Sequence, residues 1–154
     1  MATLLFITPN FAAENTRPIL TISGHSGATS DADEITYDQA SLEAMMTASI
    51  TTSTPWFDGT SVFEGIPLEE LIGELNAGAT KITAIALNDY MTEIPFDDIK
   101  ANKPILALKR DGEFMSVRDK GPLFIIYAYD SKPELRTHLY YSRSAWQVAK
   151  LVIE

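Results

Sequence analysis

A chain of 154 residues with 45% hydrophobic and 21% charged side chains has the balance of one globular domain with a single core, which excludes wholesale disorder. Its 21 acidic against 12 basic residues give a net charge of −9, which argues against nucleic acid and anionic membrane surfaces as partners but leaves room for a local basic pocket. With no cysteine, disulfides, thiolate nucleophiles, thiolate metal sites and iron–sulfur clusters are excluded together.

In chain order, residues 4–7 form a short apolar run that Pro9 breaks, and Phe11-Ala12-Ala13 places small residues before Glu14. That is the pattern of a signal-peptide tail without its basic region; a disordered leader or a first strand are the other readings. The run is too short to span a bilayer, so no direct membrane insertion is expected. Residues 1–16 read as this leader and residues 17–154 as one domain without linker or repeat. Residues 17–23 are β-branched and end at Gly24, a strand, and residues 23–33 are a polar loop. Asp38 can cap a short helix reaching Met46, with Leu42, Met45 and Met46 turned inward. The threonine-rich residues 49–53 predict a strand leading into Pro55-Trp56.

Pro67, two glutamates in the first turn and the stripe Leu68, Leu71, Ile72 and Leu75 predict a helix over residues 67–75, with Gly78 as its stop. Residues 81–87 and 90–94 read as strands joined by Asn88-Asp89. Residues 104–110 and 113–117 flank Asp111-Gly112, a pair that supplies the positive φ angles of a type I′ hairpin. Residues 123–129 are a continuous apolar, aromatic run, and residues 146–153 alternate as a final strand. Strands dominate and short helices lie scattered between them, which predicts an α+β domain with mixed, mostly antiparallel sheets.

Some motifs fall away on inspection. Gly24-His25-Ser26-Gly27 follows a strand, but Ala28 stands where a nucleophile elbow needs its second glycine, so it reads as a turn. His25 and His138 lack metal-ligand spacing, and Asp31, Asp33 and Glu34 lack the glycine and distal glutamate of a calcium loop. No catalytic set is recognisable. Three other segments gather aromatic and hydrogen-bonding side chains: Asn88-Asp89-Tyr90, Arg118-Asp119-Lys120-Gly121-Pro122, and Tyr140-Tyr141-Ser142-Arg143-Ser144 with Trp146. Each has a plain reading as turn, surface or core; together, as three turns, they suggest one shared pocket.

The same segments carry a family resemblance. The ordered set Thr52-Ser53-Thr54-Pro55-Trp56, Phe63-Glu64-Gly65-Ile66-Pro67-Leu68, Leu87-Asn88-Asp89-Tyr90, Arg118-Asp119-Lys120-Gly121-Pro122-Leu123 and Tyr141-Ser142-Arg143-Ser144-Ala145-Trp146-Gln147-Val148 resembles the molybdopterin-binding domain of the sulfite oxidase superfamily. It runs from about residue 18 to the end. The resemblance implies the sulfite-oxidase-type molybdopterin-binding fold. It also exposes a departure: the position of the enzymes' molybdenum-ligating cysteine falls on Thr52 or Ser53, hydroxyls that ligate soft-metal centres poorly.

The chain is most similar in kind to small, stand-alone, secreted pterin-binding relatives. That resemblance implies a periplasmic or secreted protein that holds a pterin without molybdenum and reports it to a membrane-bound receptor controlling cyclic-di-GMP turnover. It further implies that Trp56, Tyr90 or Trp146 stack on the ring, that Asp89 accepts from its amino edge, and that Arg118, Lys120 and Arg143 donate to its oxygens. Thr52 and Ser53 would line the vacated metal position, with Asn88 and Ser142 completing the site. The other readings are a molybdopterin-dependent oxidoreductase with an oxygen ligand in place of sulfur, and an interaction domain whose pocket is filled by side chains.

Overall fold

The computed structural model describes residues 17–24, 34–73 and 78–154. In chain order the described elements are β1 (Leu20–Gly24), β2 (Glu34–Tyr37), α1 (Gln39–Ala44), β3 (Ala48–Thr54), β4 (Phe57–Pro67), α2 (Leu68–Ile72), β5 (Lys81–Ala86), β6 (Met91–Pro95), α3 (Phe96–Asn102), β7 (Ile105–Arg110), β8 (Glu113–Phe114), β9 (Phe124–Ile126), α4 (His138–Arg143) and β10 (Val148–Ile153). The strands make two five-stranded sheets. One has the order β2-β1-β10-β5-β6; the other runs β3-β4-β7-β8, with β9 also paired to β7. β1 and β10 are parallel and every other pairing is antiparallel.

Local chemistry sets most of these boundaries. The Asp38 carboxylate accepts from the Ser41 N–H at 2.8 Å and starts α1, and Leu42 is fully buried beneath it. Asp111 and Gly112 both take positive φ, 52° and 85°, and close the β7–β8 hairpin as expected. At Gly65 the bulged β4 runs so close to β7 that a Cβ would collide with the Leu106 carbonyl, so no larger residue fits. Ile22, Ile82, Ile94, Leu151 and Ile153 from the first sheet and Phe63, Leu106, Leu108 and Phe124 from the second are all buried in one core. Full burial of each such side chain contributes about 1.5–3 kcal/mol.

Five elements differ from the sequence expectation. β2 falls between the expected loop and the expected helix, where no element was assigned, and its Ile35 and Tyr37 pair with Ile22 and Leu20 of β1. The eleven-residue β4 is carried by a segment whose glycines and charges hide its alternation. α3 follows Pro95, with Asp97 and Asp98 in its first turn, where no helix was expected. α4 occupies the Tyr140–Ser144 cluster that was expected to be a turn. In the opposite sense, α2 is shorter than residues 67–75, ending at Ile72 before Gly73 with φ 38°. Leu75, the leader and residues 25–33 lie outside the described residues.

The two sheets meet at one crossing. Phe124 of β9 forms a bridge with Trp146, the Ile125 N–H donates to the Ala145 carbonyl at 2.9 Å, and the Val148 N–H donates to the Leu123 carbonyl at 3.0 Å. The chain leaves the second sheet there and enters β10, the middle strand of the first. The candidate site is built around this crossing.

Candidate functional site: an aromatic pocket at the sheet junction

A cavity of about 430 Å³ is lined by Trp56, Asn88, Tyr90, His138, Tyr141, Ser142, Ser144 and Trp146. Its volume suits a small bicyclic molecule. Trp56 stands in the tight β3–β4 turn, where the Phe57 N–H donates to Thr54 Oγ1 at 3.2 Å. Its indole is held by neighbouring rings, with centroids at 5.3 Å from Phe124, 5.7 Å from Tyr141, 5.7 Å from Trp146 and 6.1 Å from Tyr129. Most of these meet edge to face, the geometry that ring quadrupoles favour. Trp56 and Trp146 are the chain's two tryptophans, and both face the pocket.

The opposite wall is polar. The β5–β6 turn places Asp89 in the left-handed region at φ 67°, and Asn88 Oδ1 accepts from the Tyr90 N–H at 3.2 Å. This orders Asn88 and Tyr90 into the lining, and the Tyr90 hydroxyl donates to the Ser142 carbonyl at 2.6 Å. On α4, His138, Tyr141 and Ser142 stand at helical spacing on one face. Ser144, just past the helix, is buried, donates to the Tyr140 carbonyl at 2.7 Å and shares a short hydrogen bond with the Tyr129 hydroxyl.

Five of the sequence-predicted residues meet here: Trp56, Asn88, Tyr90, Ser142 and Trp146. Lys120 touches the site from behind, its ammonium 3.8 Å from the Trp146 ring centroid, and burial pushes its pKa down. Asp89 is exposed beside Asn88, and Arg118 is exposed on the 3₁₀ turn Val117–Asp119. Arg143 turns away to Asp98 of α3, at 3.0 Å. The cavity also takes in His138, which the sequence reading set aside, and Tyr141 and Ser144, which it placed in a pocket-forming segment without giving them a ligand role. Reading residues 138–144 as a helix instead of a turn aligns 138, 141 and 142 on one face, and that periodicity was the available signal.

Thr52 and Ser53 are occupied elsewhere. The Ser53 N–H and hydroxyl donate to the two Asp130 carboxylate oxygens at 2.7 and 2.6 Å. The Thr52 hydroxyl accepts from the Asp130 N–H at 3.2 Å and donates to the Ser53 carbonyl at 3.0 Å. The two bonds from Ser53 hold the Asp130 carboxyl below the usual carboxylate range. Among the described residues, no three His, Cys, Asp or Glu side chains are grouped to hold a metal ion.

The pocket's lining carries no fixed charge, although the Lys120 ammonium lies against Trp146. None of its lining residues is a carboxylate or carries a permanent positive charge. Below it, burial pushes the Tyr127 and Tyr129 phenols upward, Tyr127 further through its hydrogen bond to Asp98, so both stay neutral. Such a site favours flat, hydrogen-bonding, uncharged rings over strongly anionic molecules.

The sequence matches no protein-family model and no curated protein. Among solved structures, the sulfane dehydrogenase SoxCD from Paracoccus pantotrophus is similar in fold, with a TM-score of 0.60 and 14% identity over 87% of this chain. The match covers 37% of that protein's chain. The architecture is thus the expected one, an α+β, sulfite-oxidase-type fold with mostly antiparallel sheets and short helices.

Proposed function

We propose that this domain is an exported, non-catalytic pterin-binding protein that reports its ligand to the periplasmic part of a membrane receptor controlling cyclic-di-GMP turnover. The observation that carries the reading is the pocket itself: two indoles and two phenols beside amide, hydroxyl and imidazole groups, at the junction of a sulfite-oxidase-type fold. A pterin is flat and rich in donors and acceptors, so it would stack on the indoles and exchange hydrogen bonds with Asn88, Ser142 or His138.

The donor set speaks to the metal as well. A molybdenum centre of the resembled family takes a thiolate at the position of Thr52 or Ser53, and here those hydroxyls are bonded to Asp130. The residues present therefore fit the ring and do not fit the metal. The partner reading draws support from Leu87, Met91 and Leu139, three exposed apolar side chains adjacent in sequence to the pocket residues Asn88, Tyr90 and His138.

The test is to denature the purified chain in acid, oxidise the supernatant and record pterin fluorescence, with molybdenum assayed on the same sample, followed by titration with pterins. Pterin without molybdenum, or saturable binding, is expected. Molybdenum near one atom per chain would instead make the protein an oxidoreductase with an unusual ligand. Failure to bind any pterin would leave an interaction domain with a lost pocket.

A further inference from the structure

Helix α4 has six residues, no side-chain cap at Thr137 and no fully buried residue. A helix of that length has no stability of its own in water and holds its place only through tertiary contacts. Yet it provides His138, Tyr141 and Ser142 to the pocket wall. Three polar anchors fix it: Tyr90 to the Ser142 carbonyl, Tyr129 to Ser144, and Arg143 to Asp98. Only the last is ionic, with the two side chains just 17% and 7% exposed.

Asp98 is fully engaged. Its Oδ2 accepts from Arg143 Nη1 at 3.0 Å and from the Tyr127 hydroxyl at 2.7 Å, and its Oδ1 accepts from Asn102 Nδ2 at 2.5 Å. No atom of Asp98 or Arg143 belongs to the pocket lining. A buried carboxylate with three donors is rigid, and removing one partner strands the other charge.

We infer that the Asp98–Arg143 ion pair is the positioning device of the ligand pocket: it acts from behind α4 to hold His138, Tyr141 and Ser142 against the Trp56–Trp146 wall. This rests on the pocket of the proposed function, but its first readout needs no ligand. The chain's two tryptophans both line the cavity, so their emission reports its closure.

The experiment compares Asp98→Asn, Arg143→Gln and the double variant with the unaltered chain, reading tryptophan emission and acrylamide quenching first and calorimetric titration with pterin second. Ile22→Ala in β1, none of whose residues lines the pocket, serves as a control for general destabilisation. Each single variant is expected to shift emission to the red, quench more readily and bind pterin roughly tenfold more weakly. The double variant leaves no charge stranded and should fold even where a single one does not, with a smaller but measurable red shift. Unshifted emission in the folded variants overturns the inference, and so does an equal shift in Ile22→Ala at matched melting temperature. A red shift in the pair variants, with no pterin binding by the unaltered chain, upholds the positioning role and removes the proposed ligand instead.

Discussion

Two hydroxyl-bearing regions lie close in the chain's logic and behave in opposite ways. Around Thr52 and Ser53, each hydroxyl has a partner within the protein, and Asp130 closes the knot from across the turn. Around Trp56, the polar groups of Asn88, His138 and Tyr141 face a cavity framed by aromatic rings. The first region is where the resembled family keeps its metal ligand; here it serves as a structural clasp. On the proposed function, the difference would separate a ligand site from a metal site on one fold, because stacking needs only ring faces, whereas a soft metal needs one specific atom.

The sharpest way to break that comparison is at the aromatic wall. Trp56→Leu keeps apolar bulk and removes the ring face, and the loss of stacking is expected to weaken pterin binding by roughly ten- to hundredfold, taking about 1–3 kcal/mol per stacked ring. Calorimetric titration checks it, and undiminished affinity would move the ligand out of this pocket. A smaller effect is expected from Tyr90→Phe. It retains the ring but loses the 2.6 Å bond to the Ser142 carbonyl, one of the anchors of α4. Affinity should fall by about fivefold, the scale of one net hydrogen bond.

How far the sequence reached follows from what each residue says about itself. Asp111-Gly112 declares a hairpin because few other pairs tolerate two positive φ angles, and the structure has it. Residues 123–129 declare a buried strand by continuous apolarity, and within them Phe124, Ile125 and Ile126 form the shorter β9, fully buried and paired to β7. β4 says little, because Asp58, Gly59, Thr60 and Glu64 interrupt its alternation, and its length is set by partners on both sides. The site divides in the same way. Trp56 and Trp146 were legible as aromatics beside turns, but the turn of Arg143 toward Asp98 was not, since a buried carboxylate on an unexpected helix gives no local signal.

Asp89 and Arg118 test the rim. The resemblance gives both a direct role in the ring's hydrogen bonding, on which loss of either would cost at least about tenfold. Both are exposed and neither lines the cavity, so solvent screens whatever they contribute. Asp89→Asn, which tolerates the left-handed backbone, and Arg118→Ala are each expected to weaken pterin binding by only about threefold. A tenfold loss in either would mean that the ligand extends past the cavity mouth onto the turns.

The smallest effect on binding belongs to the clasp. Asp130→Asn should leave pterin affinity unchanged while lowering the melting temperature. Its pH dependence has a definite sign. The folded-state pKa of Asp130 lies below its unfolded value, so the folded chain holds the proton less tightly. The stabilisation is therefore present above the ordinary aspartate value of about 3.9 and fades as the pH falls through the lower folded value. Melting curves of the two proteins should differ at neutral pH and converge in acid. A gap that persists at low pH would mean that Asp130 acts through neutral hydrogen bonds. A loss of pterin affinity in the variant would mean that the clasp and the pocket are one site after all.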